Sequence, residues 1–167
     1  MMQTRQREGS TFTVTIPFEI ASEKEGKGDS KEEKKESLKG IHLLLAEDNE
    51  LNVEVARELL EERGAVVSTA ADGQEAVRMF EESPEGTYDV ILMDVMMPVM
   101  DGLEATRKIR ASQREEGRKI PIIALTANAF REDMEQCTRA GMDAHLAKPM
   151  ELEKMIHTIA EMTRKNR

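Results

Sequence analysis

The chain has 167 residues, 39% hydrophobic and 34% charged, and a net charge of −9 at pH 7. That length suits one ordinary domain with extensions. The acidic balance excludes a chain-wide surface for nucleic acid or anionic membrane and fits a carboxylate site that wants a cation. Cys137 is the one cysteine, so no disulfide forms within the chain, which fits a reducing, cytoplasmic setting. No apolar run reaches the length of a membrane span, so no membrane contact by this chain is expected, and residues 1–8 are too polar for a signal peptide.

The first periodic stretch is GSTFTVTIPFEI, residues 9–20. Phe12, Val14, Ile16, Phe18 and Ile20 fall on one face, and Thr11, Thr13, Thr15 and Pro17 on the other, which predicts a single one-sided strand. Its unpaired edge predicts weak self-association through 9–20. Residues 21–40, ASEKEGKGDSKEEKKESLKG, are rich in Lys and Glu, with Leu38 as their one large apolar residue. That composition predicts a solvated, charged linker.

From residue 41 strands and helices alternate. Strands are expected at 41–46, 65–70, 88–93, 120–126 and 143–147; helices are expected at 51–64, 73–83, 102–112, 128–141 and 151–165. Gly64 and Gly141 stand where a helix ends. In the first helix Asn52, Val55, Ala56 and Leu59 follow an inward stripe, which leaves Leu51 and Val53 outside it. Five βα units with near-continuous apolar strands imply an α/β fold: a doubly wound five-stranded parallel sheet of flavodoxin-like order 2-1-3-4-5, counted from residue 41, with an N-terminal extension.

In such sheets ligands bind beyond the carboxyl ends of the strands. Glu47 and Asp48 follow the first strand and Asp94 follows the third. Thr126 ends the fourth, with Ala127 and Asn128 after it, and Lys148 and Pro149 follow the fifth. Three carboxylates meeting at one point repel unless a cation sits among them. Oxygen donors without His or Cys suit a hard ion, Mg2+ first and Mn2+ as a substitute. Lys148 places a positive charge opposite, and Thr126 supplies a hydroxyl. A phosphoryl group held between metal and lysine is the chemistry such a clamp serves, and a central carboxylate can be its nucleophile. Asp94, at the end of the middle strand, is the candidate.

AEDNELN, YDVILMDVMMPVMDG, ALTAN and DAHLAKP, in this order, resemble the receiver domains of two-component signalling over about residues 41–165. Receivers are themselves known examples of the strand order given above, so that order carries no separate weight. The resemblance implies that Asp94 accepts the phosphoryl group. Asp48 would bind Mg2+ directly, Glu47 through water, and the Met96 carbonyl would add a ligand. Thr126 and the Ala127 amide would contact the phosphoryl oxygens, Lys148 would pair with the group, and the bond before Pro149 would be cis. Thr126 and His145 would form the switch. Receivers often carry Tyr or Phe where His145 stands, so an imidazole replaces the usual aromatic ring and adds pH sensitivity. Leu51 and Val53, beside this site, are expected to dock a partner's helices.

Residues 9–20 resemble the closing strand of the histidine-kinase ATP-binding domain. Read this way, the chain is organised as 1–20, a remnant strand of a kinase catalytic domain; 21–40, a charged linker; and 41–167, a receiver. The parent would be a hybrid sensor histidine kinase, of a kind that can be membrane-attached, and the partners a kinase phosphohistidine domain and a histidine-phosphotransfer protein. Two rivals are a phosphorylation-independent pseudo-receiver docking module, against which the complete acidic and lysine set argues, and a Mg2+-dependent phosphatase with an aspartyl nucleophile, for which the sequence shows no cap domain.

Overall fold

The computed structural model describes residues 2–5, 9–12, 36–127 and 130–166. The chain divides into two units, residues 1–33 and 34–167. In the first, β1 (Met2–Arg5) pairs antiparallel with β2 (Gly9–Phe12), Met2 opposite Phe12 and Arg5 opposite Gly9. The expected lone strand therefore has a partner just before it in sequence. The polar composition of MQTR hid that partner, because pairing in a hairpin is a backbone property that needs no apolar face. The rest of the expected strand, 13–20, and linker residues 21–35 lie outside the described residues.

The second unit runs β3 (His42–Ala46), α1 (Glu50–Glu62), β4 (Val66–Ala70), α2 (Gly73–Glu82), β5 (Val90–Asp94), α3 (Gly102–Ala111), a 3₁₀ turn (Glu115–Arg118), β6 (Ile122–Thr126), α4 (Arg131–Ala140), β7 (Ala144–Ala147) and α5 (Leu152–Lys165). The five strands are parallel in the order β4-β3-β5-β6-β7, which is the expected 2-1-3-4-5. Central strands β5 and β6 are buried at every residue, as continuous apolar runs require when helices cover both faces. Alternate residues feed two cores. Leu44, Ile91 and Met93 pack with Phe80 and Ile109 on one face; Leu43, Leu45 and Leu92 pack with Leu60 and Ile156 on the other.

Helix starts follow local chemistry. The side chains of Asn49, Asp72 and Asp101 accept hydrogen bonds from first-turn amides of α1, α2 and α3, which satisfies donors that have no partner within the helix. Gly102 opens α3 against the end of β5, where an added Cβ would lie 2.0 Å from the Asp94 carbonyl oxygen. Gly141 closes α4 at φ 102. Two arginines tie segments together. Arg110 donates to the carbonyls of Gly117, Ile120 and Gly141 and to the Asp143 carboxylate. Arg114 stacks 4.8 Å from the Phe80 ring centroid and donates to the last carbonyls of α2, Phe80 among them.

Two expectations are corrected. The inward stripe of α1 carries Ala56 and Leu60, whereas Val55 is 49% exposed. The stripe read from 52, 55, 56 and 59 was rotated, because Leu51, Val53, Val55, Leu59 and Leu60 allow more than one register. The second correction concerns the linker, which does not run to residue 40. Leu38 is fully buried in the α1/α5 core, its amide donates to the Arg63 carbonyl at 2.9 Å and its carbonyl accepts from Ile41. Glu36 pairs with His157 and Arg164 of α5. A single leucine docks on an apolar surface however charged its neighbours are, and composition averaged over twenty residues conceals it.

Leu38→Ala should lower stability by about 2–5 kcal/mol, the usual range for a buried leucine, read as a lower denaturant midpoint at unchanged slope. Val99, between β5 and α3, has φ 66 and is 78% exposed. A β-branched residue is disfavoured there by roughly 1–2 kcal/mol. Val99→Asn, which tolerates that conformation and loses no packing, should therefore raise the melting temperature.

Candidate functional site

The strand ends bring the site together. In the register Ala46 lies opposite Met93, Asp94 opposite Leu125 and Thr126 opposite Ala147. The carboxyl ends are thus level, and residues just beyond them share one edge. The Glu47 amide donates to the Ala70 carbonyl, and the Lys148 amide to the Thr126 carbonyl at 2.8 Å. These bonds extend the ladder one step and fix the backbone that carries both side chains.

Carboxylate oxygens of Glu47, Asp48 and Asp94 lie within 4.8 Å of one another. Glu47 and Asp94 are buried, with side chains 1% and 6% exposed, and Asp48 is exposed. Lys148 Nζ donates to Glu47 Oε2 at 2.6 Å and to Asp94 Oδ2 at 2.7 Å. Asp94 Oδ1 accepts from the Met96 amide at 3.1 Å. Burial pushes the Asp94 carboxyl above its ordinary range, and the opposing bonds from Lys148 and Met96 do not cancel that rise. Burial works to lower the Lys148 ammonium, but its bonds to Asp94 and Glu47 outweigh it and the net shift is upward. Lys148 is therefore charged at neutral pH, and Asp94 sits where negative charge is held at a cost.

The structure gathers Glu47, Asp48, Asp94, Thr126 and Lys148 at this edge. Thr126 is 6% exposed and Ala127 is exposed. Met96 is 75% exposed and reaches the site through its backbone. His145 is exposed on β7, in register with Ala124. The Lys148–Pro149 bond is cis. Leu51 and Val53 separate: Leu51 is 68% exposed, whereas Val53 is half-buried beside Glu50 and Glu54 in a small depression on the other flank of α1. Leu51 is joined instead by Val55, Leu59, Pro149 and Met150 around an apolar groove of about 520 Å³ that reaches Lys148. A roomier groove of about 960 Å³ between α2 and α3 is not lined by Glu47, Asp48 or Asp94.

One participant escaped the sequence reading. Asn52 Nδ2 donates to Glu47 Oε1 at 2.9 Å. A weaker bond at 3.4 Å comes to the same oxygen from the Asn49 amide. The signal was present in AEDNELN: an asparagine in the first turn of a helix that follows an acidic pair can reach back to it. The inward-stripe reading of α1 assigned that residue to packing instead.

Residues 43–160 match the family model for the response regulator receiver domain. The chain is 39% identical over 147 residues to the aerobic respiration control sensor protein ArcB of Escherichia coli, covering 88% of this chain and 18% of that protein. It is 39% identical over 166 residues to Histidine kinase 1 of Arabidopsis thaliana, covering 81% of this chain and 14% of that protein. It therefore spans less than a fifth of the length of these relatives. Among solved structures, the receiver domain of a sensor histidine kinase from Pseudomonas aeruginosa, with a magnesium ion coordinated in its active site cleft, superposes with a TM-score of 0.68 at 45% identity, covering 75% of this chain and 98% of that one. The receiver domain of a Saccharomyces cerevisiae response regulator, co-crystallised with a histidine phosphotransfer signalling protein, gives 0.67 at 30% identity over 74% of this chain and 89% of that one. Among the described residues no helix is long and apolar enough to cross a membrane. The chain belongs to the response regulator receiver domain family.

Proposed function

We propose that Asp94 is the phosphoacceptor of a phosphorelay. The observation that carries this reading is the buried Asp94 carboxylate at the end of the central strand, next to Glu47 and Asp48 and bonded to Lys148. An Asp94 oxygen attacks the phosphorus of a phosphohistidine. The new P–O bond forms as the P–N bond breaks, and the imidazole leaves. Lys148, already within bonding distance of Asp94, turns to the incoming phosphoryl oxygens, with the Thr126 hydroxyl and the Ala127 amide beside it. The donor set fits Mg2+, with Mn2+ as a substitute: it consists of oxygens alone, and one carboxylate faces solvent. Asp48, Asp94 and the Met96 carbonyl would hold the ion, with Glu47 assisting. Bound there, it would offset the negative charge brought together when phosphoryl meets carboxylates.

The magnesium in the Pseudomonas aeruginosa relative's cleft supports this cofactor, and the yeast co-crystal supports a histidine-phosphotransfer protein as partner beside a kinase phosphohistidine domain. Alignment to ArcB over 88% of the chain extends beyond the receiver match at 43–160. Residues 1–20 are placed at the end of a hybrid kinase's catalytic domain on the likeness of 9–20 to that domain's closing strand, with a charged linker after it. We place partner docking at the groove beside Lys148, with Leu51 and Val55 on its rim. Val53, on the opposite flank, contributes less. Thr126 and His145, on neighbouring strands, would carry the phosphorylation signal toward α4 and α5.

Acetyl phosphate with Mg2+ should add one phosphoryl group to the wild-type chain, seen by intact mass. Asp94→Asn should lose this uptake by at least a hundredfold while keeping a cooperative thermal transition, and a chelator should suppress uptake by wild type. Uptake by the mutant would move the acceptor elsewhere. Absence of uptake in wild type would favour the docking module, and turnover of added phosphoesters the phosphatase. Leu51→Lys should slow transfer from a phosphohistidine protein about tenfold and leave the acetyl phosphate rate unchanged. Equal slowing with both donors would remove Leu51 from docking.

A further inference from the structure

Glu47 is held at both oxygens. Oε2 accepts from Lys148 at 2.6 Å, and Oε1 accepts from Asn52 Nδ2 at 2.9 Å, with the Asn49 amide at 3.4 Å. The carboxylate is almost fully buried, so these few donors decide its orientation. Asn52 also lines the apolar groove beside Leu51, Val55 and Lys148. One side chain thus touches both the groove and the acidic centre.

We propose that Asn52 is a positioning residue for the phosphoryl-accepting centre, acting through Glu47; this rests on the reading of Asp94 as acceptor with Mg2+. By engaging Oε1, Asn52 leaves Glu47 one free oxygen for Lys148. The ammonium is then shared with Asp94 rather than captured by Glu47. Released from Asn52, the Glu47 carboxylate would rotate and offer both oxygens to Lys148. That would draw the ammonium from Asp94 and turn the charged edge of Glu47 away from the cation position. Hydrogen-bond partners behind a ligating carboxylate set its orientation in this way, and their loss typically weakens metal affinity ten- to a hundredfold. Since α1 carries both Asn52 and the groove, a partner that shifts the first turn of α1 also adjusts Glu47. Docking and ion binding are coupled through a single amide.

The test is Mg2+ titration by calorimetry with no phosphoryl donor present, on wild type, Asn52→Leu and Asn52→Ala, each alone and combined with Glu47→Ala. Leucine keeps the branched outline of Asn52 without its hydrogen-bonding amide, and both replacements are stronger helix formers than asparagine. Both should weaken the Mg2+ Kd about tenfold, with melting temperatures within a few degrees of wild type. Phosphorylation by acetyl phosphate should fall at low Mg2+ and recover at saturating Mg2+. In the Glu47→Ala background neither replacement should change the Kd further, because the interaction partner is gone. A Kd within twofold of wild type in the folded single variants would overturn the proposal. So would the same loss appearing in the Glu47→Ala background, or failure of both variants to fold, which would make Asn52 a packing residue. If wild type itself neither bound Mg2+ nor took up phosphoryl, the functional reading of the site would fail instead.

Discussion

Three carboxylates held within 4.8 Å of one another are the constraint on which this structure turns. At such separations a pair of like charges repels by about 1 kcal/mol in water and roughly 4 kcal/mol in the environment near a protein surface. Two of the three are buried as well, so the repulsion cannot be relieved by turning outward. The fold tolerates the cluster because Lys148 enters it and bonds to both buried members. The balance is incomplete: the Asp94 carboxyl remains above its ordinary range, chiefly through burial. A site left with unneutralised negative charge attracts a divalent cation, and one ammonium shared by two carboxylates can be turned toward an arriving anion.

Everything that surrounds the cluster serves to hold it. β5 and β6 are buried along their whole length and cannot shift without exposing apolar surface. The strand ends are kept level by the parallel register. Gly102 lets α3 start against the Asp94 backbone, where any larger residue would strike its carbonyl oxygen. Asn49 caps α1 immediately after the acidic pair, so Asn52 returns toward Glu47 one turn later. Arg110 binds the 3₁₀ turn, the entry to β6, the end of α4 and the loop before β7 into one block. Rigidity here is a matter of charge as well as packing, and it fixes where four charged side chains point.

Much of this was legible in the residue order. Alternation of near-continuous apolar runs with helical spacing yields a parallel sheet, and the residues after the strands then have to meet at one edge whatever their separation in sequence. Where the reading slipped, competing patterns were present. In α1 an excess of aliphatic residues allowed two inward stripes, and only packing against the sheet at β4 and in the core shared with α5 selected the one through Ala56 and Leu60. Around Leu38 the local composition was that of a linker, and burial depended on an apolar surface made by α1 and α5. The partner of the strand at residue 9 was hidden in a polar segment, because strand pairing rests on backbone groups that every residue except proline carries.

The sequence by itself determined the fold class, the strand order through its family likeness, and which residue types collect at the carboxyl edge. It did so because period, turn residues and charge placement are written in local order. Only the tertiary structure decided that Lys148 is shared between Glu47 and Asp94, that Asn52 holds the other oxygen of Glu47, that Leu51 and Val53 lie on different flanks of α1, and that the compact unit takes in residues 36–40. Each of these depends on side-chain direction or on surfaces assembled from distant segments. Neither is a function of spacing along the chain; both appear when helices and strands close around one core.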